Sequence, residues 1–415
     1  MEYIKRNIEN NLLIALSDTP VVLIQGVRQS GKSTLAKKLA ERIDAHQVTF
    51  DDQTTLEAAR KDPKDFVDQY ASGTLIIDEI QLLPSLLRTI KYAVDKDRKP
   101  GRFLLTGSAD VMHVSGANES LAGRAEKIKL NTLSVGEKKG KMDDFISRIA
   151  KERKITKWAK SSSMTRGEYI NLICQGGYPE AIKRNQQRRN EFLKNYLSSV
   201  LDHDTVEISG LAHLDKLEQV FCIISAQTSE QLVKSKLARS TEIPESSIHA
   251  YIRLLKDIYL INELPVWGRN LTNKATARKK VTVADTSIAC YLNGFTEDSL
   301  SDFKNGAELG SLLETFVVDE LFKQQSWSDT QYSLNHYRDK YGREVDIIIE
   351  LFDKKVIAIE VKASSTVTSG DLSGLRHVQE LAGDKFHCGI VLYTGDSTLS
   401  FGDNLFVAPI STLWE

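Results

Sequence analysis

The octapeptide Gly26-Val27-Arg28-Gln29-Ser30-Gly31-Lys32-Ser33 restricts the folds open to this chain more than any other feature. It satisfies G-x-x-x-x-G-K-[ST] at each defined position, follows the apolar run Val21-Val22-Leu23-Ile24 and leads into the helical stretch Thr34 to Ala40. A strand, a glycine-rich turn and a helix in that order aim free backbone N–H groups and a helix N-terminus at a phosphate. The arrangement calls for an open parallel α/β sheet, whose strands bind ligands at their carboxyl ends. Lys32 would reach the β and γ phosphates of ATP and Ser33 would hold Mg²⁺, with the backbone from Gly26 to Thr34 wrapped around the nucleotide.

Two further apolar runs belong to the same sheet. Thr74 to Ile77 ends in Asp78-Glu79, an acidic pair at a strand terminus. There Asp78 would bind magnesium through water, and Glu79 would polarise the attacking water. Phe103-Leu104-Leu105 ends in Thr106-Gly107-Ser108, which suits a sensor for the γ-phosphate or the water, with Thr106 and Ser108 equally placed for the task. Arg124, in Leu121-Ala122-Gly123-Arg124, follows at a distance that suits an arginine finger offered to a neighbouring copy, and a finger of that kind implies a homo-oligomer.

With 415 residues, 41% of them hydrophobic, the chain can fill two or three cores. A net charge of −1 argues against nucleic-acid affinity spread over the whole surface, but local basic runs exist. Between Lys138 and Arg166 basic residues outnumber acids by ten to three, and Arg269, Lys274, Arg278, Lys279 and Lys280 form a second cluster. Cys174, Cys222, Cys290 and Cys388 make no C-x-x-C pair and the histidines no ligand spacing, so neither a zinc site nor a disulfide framework is expected. The apolar runs are too short to cross a bilayer, which leaves a cytoplasmic protein without a membrane partner as the expectation.

The middle of the chain, from about Leu214 to Leu292, has a winged-helix pattern. Helices are expected at Leu217 to Ala226, Ser229 to Arg239 and Ile248 to Ile258, followed by strands at Tyr259 to Leu264 and Lys280 to Ala284. In such modules the third helix enters the major groove, and here it carries Ser247, His249, Arg253 and Lys256. Upstream, Gly176-Gly177-Tyr178-Pro179-Glu180 specifies a sharp turn with no evident chemical role.

Near the carboxyl end, Val345 to Glu350 and Val356 to Val361 read as the arms of a hairpin centred on Asp353. In that register Asp346 faces Glu360, at roughly 5 Å between Cβ atoms, and Lys362 shares their face. Two carboxylates so close repel unless a cation lies between them. Oxygen ligands suit Mg²⁺ or Mn²⁺, which would polarise a scissile phosphate while Lys362 orients water. Glu314, on the expected helix Leu309 to Phe322, would complete the metal set.

On the loop Gly26 to Ser33, Asp78-Glu79, Thr106-Gly107-Ser108, Gly123-Arg124, Gly176 to Glu180 and the block around Asp346, Glu360 and Lys362, nearly the whole chain resembles prokaryotic AAA+ ATPases that end in domain of unknown function 4143. That last block looks like the PD-(D/E)XK nuclease superfamily. The resemblance implies an α/β fold in three parts, with an AAA+ P-loop ATPase at 1–160, a helical and winged-helix domain at 161–298, and a restriction-endonuclease-like domain at 299–415. It implies ATP and magnesium as cofactors, catalytic roles for Asp346, Glu360 and Lys362 with help from Glu314, and DNA as partner, branched or foreign. The chain departs from the family's frequent Arg-Asp at His203-Asp204, and the stretch from Lys138 to Arg166 looks like an insertion. Three functions follow: an ATP-regulated metal-dependent DNA nuclease, a DNA-binding or remodelling ATPase with a non-cleaving nuclease-like domain, and a signalling ATPase acting on a protein partner.

Overall fold

A computed structural model describes residues 3–108, 121–201, 215–268 and 277–415. His203, Asp204, Arg269 and Lys274 lie outside the described residues. The described residues up to Thr132, with 257–259, pack as one unit; Leu133–Leu201, the residues from 215 to Lys256, and Leu260–Glu415 pack as another.

In the first unit, β1 (Val21–Gly26), β2 (Ala45–Thr49), β3 (Thr74–Asp78), β4 (Phe103–Gly107) and β5 (Ala125–Leu130) form a sheet of order β2-β3-β4-β1-β5. Every pairing in it is parallel. β1, β3 and β4 are buried along their whole length, which is why they read as unbroken apolar runs rather than alternating ones. One face of the sheet, with Val21, Leu23, Leu75, Ile77, Phe103 and Leu105, packs on Leu86, Leu87, Ile90 and Val94. Those four residues lie at helical spacing on the helix Leu86–Lys96. The parallel register brings the loop after β1, Asp78 and Thr106 to the same carboxyl edge.

In the second unit, β6 (Glu230–Gln231), β7 (Ile261–Leu264) and β8 (Lys280–Val283) make a small antiparallel sheet of order β6-β8-β7. The helices Asp215–Ala226, Lys234–Thr241 and Glu245–Asp257 precede or interleave with it. The helix expected at Ser229 to Arg239 is replaced at its start by β6. Ser229 has a left-handed φ of 65° and donates its N–H to the Val281 carbonyl at 2.9 Å, so pairing with a strand fifty residues away overrides local propensity.

A second, mixed sheet contains β9 (Tyr332–Arg338), β10 (Glu344–Leu351), β11 (Val356–Lys362), β12 (Phe386–Tyr393), β13 (Leu399–Ser400) and β14 (Leu405–Pro409), ordered β13-β14-β12-β11-β10-β9. β9, β10 and β11 run antiparallel, and β11, β12 and β14 run parallel. The hairpin pairs Ile347 with Ile359 and Glu350 with Val356, symmetric about Asp353. Between Val345 and Ile348 the pairing with β9 shifts by one residue. Val345 and Ile348, an odd number of positions apart, nonetheless join the same apolar cluster. A regular strand cannot do this; the bulge absorbs one residue and re-aims Asp346.

The basic stretch from Lys138 to Arg166 is a packed part of this unit. Phe145 N donates to Gln324 Oε1 at 3.0 Å, Trp327 Nε1 to the Asp143 carbonyl at 2.5 Å, and Lys151 pairs with Asp329. The double glycine also has a structural explanation. Gly177 N donates to Asp285 Oδ2 at 2.9 Å, while Asp285 Oδ1 accepts from Ser287 N at the start of the helix Thr286–Leu292. Gly176 has φ +64°, and a Cβ there would lie 2.1 Å from Asp285 Oδ1. Gly176→Ala is therefore expected to lower stability by about 3 kcal/mol, a clash added to a left-handed backbone, seen as a lower urea midpoint at unchanged m-value.

Candidate functional site

The phosphate loop is held in shape from both sides. Gly26 has φ +150° and lies against β5, where a Cβ would meet the Leu130 carbonyl at 2.0 Å, so only glycine fits. Buried Arg6 braces the loop from the amino-terminal side, donating from Nη1 to the Ser30 carbonyl and from Nη2 to the Asn131 carbonyl, each at 2.8 Å. Gln29 takes a left-handed φ of 59°, an uncommon conformation for a side-chain-bearing residue and one that clusters at ligand clamps. Val27 and Ser30 are buried, Arg28 is half-buried, and Gly31 caps the helix Lys32–Ala40 with φ 95°. The Lys32 ammonium lies within the loop, donating to the Gly26 and Val27 carbonyls at 3.0 and 2.9 Å. Ser33 and Thr34 are exposed on the first turn.

Three strand ends converge on Asp78. Its Oδ1 accepts from Ser33 Oγ at 3.1 Å and from Thr106 Oγ1. Thr106 Oγ1 also accepts from the Glu79 N–H at 3.3 Å. Glu79 has a left-handed φ of 57°, and burial raises its carboxyl above the usual range, tempered by Gln81 and Lys32. Ser108 accepts from Gln81 Nε2 at 3.2 Å, and the same nitrogen donates to Glu79 Oε2. The two sensor candidates thus differ: Thr106 is committed to Asp78, whereas Ser108 sits beside Glu79's hydrogen-bond partner. Arg124 is tied within its own chain, Nε to Asp95 Oδ1 at 2.5 Å and Nη1 to the Ala122 carbonyl at 3.0 Å.

In the second unit the carboxyl-terminal residues gather as one charge cluster, with a member that sequence reasoning misplaced. Glu314 lies on the helix Gly306–Gln325, Asp346 at the bulge in β10, and Glu360 and Lys362 on β11. Lys280, counted among surface basic residues on sequence alone, is buried at the start of β8 and ion-pairs with Glu314, with Asp346 Oδ1 at 3.7 Å. Burial opposes the Lys280 charge, but Glu314 and Asp346 override it and raise the ammonium's pKa. Asp346 Oδ2 accepts from the Val361 N–H at 2.9 Å, and Lys362 Nζ donates to Glu360 Oε1 at 2.7 Å. Three carboxylates face two ammonium groups, so one negative charge is in excess. Burial, then repulsion from Asp346, pushes Glu314 up to about 8 and Glu360 up to about 7. Glu360 Oε2 is buried with no hydrogen-bond partner.

Glu314, Asp346 and Glu360, the expected metal ligands, lie in one cluster with two lysines. Among the described residues, no group of three or more His, Cys, Asp or Glu side chains is placed to hold a metal ion. The Lys280 ammonium lies beside both Glu314 and Asp346. The strand that Lys280 opens is expected from sequence, but its burial follows from β8 pairing with both β6 and β7.

Of the candidate groove-reading residues on the helix Glu245–Asp257, His249, Arg253 and Lys256 are exposed and Ser247 is half-buried. Lys256 pairs with Glu263 at 2.9 Å, as does Lys279. No helix among the described residues is long and apolar enough to cross a membrane.

Comparison with known proteins returns the uncharacterized proteins Rv2008c of Mycobacterium tuberculosis and Mb2031c of Mycobacterium bovis, each 26% identical over 363 residues, 87% of this chain and 74% of theirs. Among solved structures, the Walker-type ATPase PABY2304 of Pyrococcus abyssi is 16% identical, covers 70% of this chain and 96% of its own, and has a TM-score of 0.45. AMPPCP-bound DnaA from Aquifex aeolicus is 15% identical over 60% of this chain and 85% of its own, at a TM-score of 0.29. Family models match in three places: an AAA domain over residues 18–138, a domain of unknown function (DUF8612) over 166–299 and a domain of unknown function (DUF4143) over 309–413. The AAA match spans the five-stranded parallel sheet and its glycine-rich loop, and the DUF4143 match spans the six-stranded mixed sheet.

Proposed function

We propose that this protein binds and hydrolyses ATP and uses that cycle to control a DNA-engaging carboxyl-terminal half. The observation that carries the ATPase reading is the convergence of Ser33 and Thr106 on one oxygen of Asp78, beside a loop whose Ser30 hydroxyl is buried without a partner. A buried orphan hydroxyl in a glycine-rich loop at a helix N-terminus fits a phosphate. Ser33 directly, and Asp78 through water, would hold Mg²⁺, which neutralises charge on the β and γ phosphates. The backbone from Gly26 to Thr34 cradles the phosphates, Lys32 bridges them, Glu79 orients the attacking water, and Ser108, rather than Thr106, senses the γ-phosphate. Arg124, released from Asp95, acts across a homo-oligomer interface. Three separate family models support a division into three parts, but the first ends near 132–138 rather than at 160, because residues from Leu133 pack with the second unit.

DNA engagement rests on the helix Glu245–Asp257, with His249 and Arg253 exposed and the antiparallel pair β7 and β8 following it in the chain, an order suited to a module that reads the major groove. In this reading Asp346, Glu360, Lys362 and Glu314 form a nuclease-like set that does not cut, because Lys280 holds the cation position, and the domain around it only grips nucleic acid. A second reading, metal-dependent cutting, is favoured by one observation: the unpartnered Glu360 Oε2, an oxygen available to Mg²⁺ or Mn²⁺.

The deciding assay incubates the protein with linear, single-stranded and four-way-junction DNA, with and without ATP and Mg²⁺ or Mn²⁺, alongside Asp346→Ala. We expect salt-sensitive binding without cleavage, since phosphate contacts release counterions. Metal-dependent cutting that disappears in Asp346→Ala would establish the nuclease instead. ATP turnover with neither binding nor cutting would point to a protein partner.

A further inference from the structure

We infer that Gln81 is the positioning residue that sets the Glu79 carboxylate and ties it to Ser108, an inference that rests on the ATPase reading above. Gln81 sits in the single helical turn Ile80–Leu82, immediately after the left-handed Glu79. That left-handed step turns the chain back sharply, so side chains two residues apart meet instead of pointing to opposite sides, as they would in an extended strand. The Gln81 amide nitrogen donates to Glu79 Oε2 and to Ser108 Oγ at 3.2 Å, spanning the ends of two different strands. Its other end, Oε1, is buried and has no partner.

A side-chain amide has two donor hydrogens and a carbonyl acceptor. Here both donor positions are engaged while the acceptor has nothing, although a buried acceptor without a donor costs about 1–3 kcal/mol. A side chain held mainly for stability would have its acceptor satisfied. The geometry instead suits a group whose carbonyl takes a hydrogen bond from the attacking water while its nitrogen holds the carboxylate that polarises that water. The link to Ser108 adds a second consequence. A Ser108 hydroxyl that turns toward the γ-phosphate changes what Gln81 Nε2 shares with Glu79, so the carboxylate's position depends on the nucleotide state. Neither Lys32 nor the loop takes part in this contact, so Gln81 acts on turnover and leaves nucleotide binding alone.

Steady-state ATP hydrolysis and binding of a non-hydrolysable ATP analogue, measured on the full chain, test this. Gln81→Ala is expected to lower kcat about tenfold or more, with KM and analogue affinity within twofold of the wild type. Gln81→Glu, nearly isosteric but with an oxygen facing the Glu79 carboxylate, is expected to lose at least as much, and its melting temperature serves as the check on folding. In Glu79→Gln the further change Gln81→Ala is expected to add little, because residues acting as a unit are not additive. An unchanged kcat in both Gln81 variants, a parallel loss of analogue affinity, or full additivity with Glu79→Gln would each overturn the inference. A wild-type protein that binds the analogue but does not hydrolyse ATP overturns the ATPase reading itself, a separate outcome.

Discussion

Lys32→Ala is expected to reduce ATP turnover by about 10²–10³-fold, the range seen when one preorganised donor to developing negative charge is removed. The Lys32 ammonium is already inside the loop, on the Gly26 and Val27 carbonyls, so it reaches the phosphates by a short swing instead of folding in from solvent. Charge at the transferring phosphoryl group spreads over its outer oxygens, and no other lysine lies in the octapeptide to replace the lost cation. Analogue binding should weaken as well, which separates Lys32 from Gln81. Melting temperature with and without nucleotide gives the control. The wild type should be stabilised by ATP analogue as mass action requires, and Lys32→Ala should fold with little response to it. Turnover equal to wild type in Lys32→Ala would remove the nucleotide site as the seat of activity.

The second large effect is expected at Lys280. Replacing it with alanine leaves Glu314 and Asp346 buried side by side without their shared cation, and removing one partner of a buried pair costs about 3–5 kcal/mol. Glu314, already pushed up to about 8 by burial first and Asp346 second, can take a proton and soften the loss, so the lower end of that range is expected. Adding Glu314→Gln to Lys280→Ala should recover part of it, a coupling readable from urea midpoints in a double-mutant cycle. The same variant tests the cation position. Millimolar Mg²⁺ or Mn²⁺ is expected to leave the wild-type midpoint unchanged and to raise that of Lys280→Ala, by about 2.7 kcal/mol at a hundredfold excess over Kd. An identical response in both proteins would show that Lys280 does not occupy a latent metal position.

The nucleotide site was legible because its chemistry is local: Gly26 to Ser33 is a continuous segment, and Asp78-Glu79 and Thr106-Gly107-Ser108 each end an apolar run. A parallel sheet aligns strand ends without further instruction, so the runs themselves imply the shared edge. The partners within that edge were not legible. Thr106 and Ser108 are two residues apart on one strand end, and only the sheet register assigns the first to Asp78 and the second to Gln81. Arg6, far from the loop in sequence, has no local signature at all.

The carboxyl-terminal cluster shows the reverse balance. Hairpin symmetry about Asp353 and the helix bearing Glu314 follow from the alternation and spacing of residues, and both elements form. The bulge between Val345 and Ile348 leaves no mark on the residue pattern, yet it decides where Asp346 points. Lys280 reads as one of three consecutive basic residues, and the inward turn of β8 converts it from surface charge into the cation of a buried cluster. Taken alone, the amino-acid sequence determined the parallel sheet, the glycine-rich loop after its first strand and the identity of the acidic groups, because each depends on residues adjacent in the chain or repeating at a strand or helix period. Tertiary structure alone decided which charge neutralises which, because a buried carboxylate takes its partner from whichever element the fold packs against it, and neither the partners of Lys280 nor the bulge is visible in the periods that sequence patterns carry.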